Sequence, residues 1–209
     1  ADAERATGVL RQTPLHLACA GGRRTVPLAS SLLAHRGGEL CRLQDAEGET
    51  ALGASVLLGL VEVVVRMVEM GAELDYTNGC GDTPLHTALL HPYRPTRLSL
   101  LYALLTGGAY PDAWDARGLA PLHAATVSGD APSARLLLLH GANPDSRTEA
   151  GETATFLAVQ NGEVECLRAL LEHDADIRTR LPRTRASLMH AAAHMARGVL
   201  DKVLRRRRE

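Results

Sequence analysis

Aromatic residues make up 3% of the 209-residue chain: one Phe (Phe156), one Trp (Trp114) and four Tyr. A single large core draws on aromatic side chains for bulk. The interior must therefore be built from the abundant Ala, Leu and Val, which suits thin layers of packed helices. Lysine is scarcer still, since all but one of the 23 basic residues are Arg and Lys202 is the exception. Arg-rich codon usage accounts for this, or selection against ubiquitin-acceptor lysines. The four cysteines, Cys19, Cys41, Cys80 and Cys166, form no CxxC pair. That spacing excludes a zinc ribbon and argues against a disulfide framework, leaving reduced thiols. No apolar run reaches bilayer-spanning length. A net charge of −1 gives no general attraction to nucleic acid or anionic lipid. Apolar residues at 45% and charged residues at 22% describe a globular rather than a disordered chain. With no leader at its start, the chain is expected to be an excised domain from a cytoplasmic or nuclear protein.

What the chain does contain is a repeat. Thr13-Pro14-Leu15-His16 returns as Thr83-Pro84-Leu85-His86 and as Ala120-Pro121-Leu122-His123. Looser copies are Thr50-Ala51-Leu52-Gly53, Thr153-Ala154-Thr155-Phe156 and Ser187-Leu188-Met189-His190, giving successive offsets of 37, 33, 37, 33 and 34 residues. A second landmark is Gly71-Ala72, Gly108-Ala109 and Gly141-Ala142, with Gly38-Glu39 and Asp174-Ala175 as degenerate forms. Polar turns follow at Asp45-Ala46-Glu47-Gly48, Asn78-Gly79-Cys80-Gly81 and Asp115-Ala116-Arg117-Gly118. The Thr is an N-cap, and Pro at the next position presets φ without losing a hydrogen bond. Leu faces the core, Gly ends a second helix where φ is positive, and Asp/Asn with Gly shapes a projecting turn. Apolar spacing at Val61, Val64, Val65 and Val68, and at Leu136, Leu137 and Leu139, predicts short amphipathic helices. One such pair cannot bury its apolar face alone, so neighbours must stack.

With this motif, spacing and turn the chain resembles the ankyrin repeat family over about Val9 to Val203. The resemblance implies an all-α solenoid of about five to six helix–turn–helix units with projecting hairpin-like fingers. The chain then reads as a single domain, 1–209, with repeats at 9–45, 46–78, 79–115, 116–148 and 149–182 and a C-terminal capping repeat at 183–209. The offsets of 37 rather than 33 place insertions in the first and third repeats. They are expected between the helices, in Gly21–Pro27 and His91–Arg97, with Pro stopping the first helix.

An enzyme is not expected. His16, His86, His123 and His190 sit at the motif, where the resemblance implies that the imidazole bridges backbone groups of neighbouring repeats. His190 and His194 are spaced as a metal pair, but they lack the HExxH glutamate and a third ligand, so no metal is expected. No phosphate-binding glycine loop and no catalytic context for Ser, Cys or Thr is present, and no cofactor is expected. Cys19 is read as a buried structural thiol. The run Arg205-Arg206-Arg207-Arg208 is a nuclear-localisation or nucleic-acid patch, or simply a solvated helix end.

The resemblance implies protein binding through finger tips and the inner face of the first helices. The tips are expected at Glu47, Glu49, Tyr76, Asn78, Trp114, Arg117, Arg147 and Glu149. The inner face is expected at Leu57, Leu58, Leu90, His91, Val127, Ser128, Gln160 and Asn161. Trp114, with Tyr110, Arg117 and Tyr76, offers the residue types that dominate interfaces. Alternatively, Trp114 braces its own finger. Arg23 and Arg24 on one insertion and Arg94 and Arg97 on the other, roughly 20 Å apart on one edge at about 10 Å per repeat, suit an acidic or phosphorylated segment. Three roles stay open: substrate recognition for a ubiquitin ligase adaptor, an IκB-like regulator of transcription factors, and an architectural spacer.

Overall fold

The computed structural model describes residues 11–176. The expected capping repeat at 183–209, its Ser187–His190 motif, the His190/His194 pair and the run Arg205–Arg208 lie outside the described residues. The described residues hold ten α-helices in helix–turn–helix pairs. The chain divides into two compact units, 1–116 and 117–209.

In the first unit α1 (Pro14–Ala20), α3 (Ala51–Leu57) and α5 (Pro84–Leu89) pack side by side as one layer. A second layer is formed by α2 (Val26–Leu40), α4 (Val61–Glu69) and α6 (Arg94–Thr106). Leu15, Leu33, Leu52, Met67, Leu85 and Leu100 are fully buried between them. In the second unit α7 (Pro121–Val127) packs on α9 (Ala154–Asn161), and α8 (Ala131–Leu139) packs on α10 (Val164–Glu172). Leu122, Leu137 and Leu170 fill its core, with Phe156 also buried.

The motif residues do the local work expected of them. The hydroxyls of Thr13, Thr50 and Thr153 accept from the N–H groups of His16, Gly53 and Phe156 at the helix N-termini. Gly71, Gly108 and Gly141 follow the second helices with φ of 75°, 96° and 87°, where a side chain would be strained. Asp174 takes that place after α10 at φ 59°. The first two fingers are short turns closed by a side chain. The Asp45 carboxylate accepts from the N–H groups of Glu47 and Glu49 at 2.9 and 3.0 Å, and the Asn78 amide oxygen does the same for Cys80 and Asp82.

Two expectations are corrected. The insertions are largely helical: α6 has 13 residues against nine in α4, α8 and α10, so the third repeat gains a turn of second helix rather than a loop. The first repeat inserts a 3-10 turn, Gly22–Thr25, before the 15-residue α2. Pro27 and Pro95 lie in the first turn of the second helices, where a missing N–H costs nothing. They start those helices instead of stopping the first ones. The buried stripe of α4 is Val63, Val64 and Met67, with Val65 exposed, and Leu139 of α8 is exposed. The buried face of α4 is a single stripe at helical spacing, and Val65 lies outside it, because apolar residues also stand on the exposed side of this helix.

Candidate partner-binding surfaces

Motif histidines tie the start of a first helix to the finger that follows its repeat's second helix. Buried His123 accepts the Ala120 N–H at Nδ1 (3.1 Å), which fixes the proton on Nε2, and Nε2–H donates to the Ser146 carbonyl of the next finger (3.0 Å). Ala120 has no hydroxyl, so the imidazole alone closes this helix start. His16 reaches the Glu49 carbonyl in the same way, at 3.1 Å. His86 is buried with Nδ1 2.9 Å from the Thr83 hydroxyl. These histidines have packing and bridging duties.

Gly53 breaks the pattern, and its neighbours respond. A Cβ there would collide with the Glu49 carboxylate and the Tyr76 hydroxyl. Tyr76 therefore occupies the space that an imidazole takes elsewhere. Its hydroxyl donates to Glu49 Oε1 at 2.5 Å, and Asn78 Nδ2 donates to Glu49 Oε2 at 3.3 Å. Tyr76, expected at an exposed tip, is 7% exposed. It is removed from the contact residues, and Glu49 and Asn78 are engaged beside it. Burial, reinforced by the Glu49 carboxylate, pushes the Tyr76 hydroxyl well above its ordinary pKa.

The inner-face leucines are accessible. Leu57 ends α3 and Leu90 caps α5, and the two are 62% and 65% exposed. They stand at the same step after their caps, Thr50 and Thr83, on helices that pack together. Leu58 is exposed beside Leu57. Leu17 on α1 is exposed as well and was not singled out from the sequence, because Ala20 and Gly21 occupy the equivalent step there. In the second unit the corresponding positions are Val127, Ser128, Gln160 and Asn161, three of them polar.

Tyr110 and Trp114 project from the last finger of the first unit at 58% and 55% exposure. The Tyr110 backbone N–H donates to Asp75 Oδ1 at 2.7 Å, which anchors the loop to the preceding finger. Arg117 is exposed and belongs to the second unit. The insertion arginines divide. Arg23, Arg24 and Arg94 are exposed. Arg97 is half-buried, and its guanidinium reaches the Leu89 carbonyl at the end of α5 (3.5 Å). That contact gives Arg97 a helix-capping duty inside the fold.

Burial raises the thiols of Cys19, Cys41 and Cys166, the latter two to about 11, which keeps them protonated and poorly nucleophilic at neutral pH. No helix among the described residues is long and apolar enough to cross a membrane.

Comparison with known proteins agrees with this architecture. Models of ankyrin repeats (3 copies) match residues 93–181 and 122–204, and ankyrin repeats (many copies) match 54–101. The B-cell lymphoma 3 protein homolog of Mus musculus is 32% identical over 130 residues, 61% of this chain and 28% of that protein. The B-cell lymphoma 3 protein of Homo sapiens is 35% identical over 98 residues, 45% of this chain and 21% of that protein. The chain thus matches under a third of the length of these relatives. The crystal structure of the ankyrin repeat domain of Bcl-3, described as a unique member of the IκB protein family, superposes with a TM-score of 0.78 at 26% identity, covering 90% of this chain and 81% of that one.

Proposed function

Because this chain belongs to the ankyrin repeat family, whose repeats are protein–protein interaction modules, we propose that it recognises a partner protein through Leu57, Leu58 and Leu90 together with the Tyr110–Trp114 finger. The observation that carries the reading is the pair of exposed leucines at equivalent steps on packed helices. Most of the surface of each is open to solvent, and covering each one gains about 1–2 kcal/mol. Contiguous exposed apolar surface of this kind marks interaction sites, and a pure spacer has no use for it. The aromatic finger adds anchors of the type that dominate interface energetics.

Among the pathway roles, likeness to the Bcl-3 ankyrin domain favours an IκB-like regulator of transcription factors acting in the cytoplasm or nucleus. Lysine scarcity is the sequence feature that supports a ubiquitin ligase adaptor. Affinity purification of this chain and of the full-length protein, each followed by mass spectrometry, separates them. Transcription factors recovered by both support the regulator. Cullin-scaffold components recovered by the full-length protein alone support the adaptor and contradict the regulator.

A further inference from the structure

The insertions in the first and third repeats flank a second repeat that has none. The consequence is a notch of about 640 Å³ over the start of α4. One wall is Arg23 of the 3-10 turn with Val26, Pro27 and Ser30 of α2, and Thr96 of α6 contributes to the lining. The floor is Gly59 and Leu60 of the α3–α4 turn with Val61 and Glu62 at the start of α4, and Arg66 stands one helical turn further on. Gly59 is what lets the third repeat close in. A Cβ there would collide with the His91 imidazole and press on Thr96, and its φ of 71° suits glycine.

From this we propose that the notch is an anion site that receives a phosphorylated serine or threonine side chain of the partner. Arg23 and Arg66 are exposed, and neither makes an ion pair among the described residues. Ser30 lines the wall with a shielded hydroxyl that lacks a hydrogen-bond partner, an unusual condition for such an atom, and a turn of its side chain would bring that hydroxyl to the notch. Two guanidinium groups match a phosphate ester, which carries close to two negative charges and three acceptor oxygens. Glu62 stands at the same opening, and its carboxylate subtracts from the attraction that the two guanidinium groups exert on an anion. Val26, Pro27, Leu60 and Val61 offer apolar contact to the neighbouring peptide. The sequence suggested grouping Arg23 and Arg24 with Arg94 and Arg97, whereas the notch lining holds Arg23 and Arg66.

This inference rests on the protein-recognition reading but on different residues, since Leu57, Leu58 and Leu90 are absent from the notch lining. The test is an NMR titration of the isotope-labelled 209-residue chain with N-acetyl-phosphoserine amide. The expected result is that the amides of Ser30 and of Gly59 to Glu62 shift. The apparent Kd should rise at least tenfold in the double variant R23Q/R66Q and less than twofold in R24Q, which removes a neighbouring charge outside the lining. N-acetyl-serine amide and N-acetyl-glutamate amide should leave those amides unmoved. Three results would overturn the proposal: shifts that survive R23Q/R66Q, an equal loss in R24Q, or inorganic phosphate binding as tightly as the phosphoserine derivative, which would make this an adventitious ion only. Failure here leaves the leucine surface untested and intact.

Discussion

The second helices are uneven in the first unit and equal in the second, although both units are built from the same repeat and each lacks one motif histidine, at Gly53 and at Phe156. In the first, the second helices run to 15, nine and 13 residues, one histidine tie is replaced by Tyr76 and Glu49, and leucines stand exposed at the ends of α3 and α5. In the second, both second helices have nine residues, and most of the corresponding inner-face positions are polar. The difference teaches a division of labour. The repeat sets caps, turns and layers in either unit and leaves the same step of each first helix exposed, so what differs between the units is the residue that stands there. A contact surface can be assembled from those residues.

The largest effect on stability is expected where the regular pattern is broken. His123→Ala strands the Ala120 N–H and the Ser146 carbonyl and should cost about 2–3 kcal/mol in chemical denaturation. A loss below 0.5 kcal/mol would mean that the histidine tie matters little in the second unit. Gly53→Ala in the first unit comes next. Ala ordinarily favours a helix by about 0.5–1 kcal/mol, yet here its Cβ meets Tyr76 and Glu49, so a loss of about 2 kcal/mol is expected. Combining it with Tyr76→Phe should recover about 1 kcal/mol relative to the sum of the two single changes; strict additivity would show that Tyr76 does not fill the space left by Gly53. Trp114→Ala should weaken partner binding about tenfold, or 1.4 kcal/mol, with the melting temperature unchanged. A large drop in melting temperature would assign Trp114 to bracing its finger. The smallest effect is alkaline. Tyr76 keeps its proton in the fold above the ordinary pKa of 10.0, so above that pH the folded chain holds more protons than the unfolded one. Stability should then fall as pH rises past 10, and Tyr76→Phe should reduce the slope.

The frame was legible in the sequence because its causes are local. A capping Thr followed by Pro, and a Gly where φ is positive, act within a turn of where they are read. Trp114, Tyr110 and Leu57 were legible as surface residues because they stand at steps with no packing duty. Tyr76 was not. Its burial depends on the absence of a side chain at Gly53, near the start of the same repeat, a condition that becomes visible when the finger is placed against α3. The signal existed, since a glycine in place of a bridging histidine leaves a hole for some neighbour to fill. The helical character of the insertions was likewise announced by Pro27 and Pro95, which suit a first turn as well as a loop. The grouping of Arg23 with Arg66 needed the structure, because nothing in sequence spacing reports which second helices frame a notch.

The central claim is that the first unit carries the contact surface. It is tested most directly by titration calorimetry with the partner recovered by affinity purification, comparing the chain with L57D/L90D and with V127D, its second-unit counterpart. The account predicts at least a hundredfold weaker binding, about 2.7 kcal/mol, for L57D/L90D, less than threefold for V127D, and unchanged melting for both. Undiminished binding by L57D/L90D, or an equal loss in V127D, would contradict it.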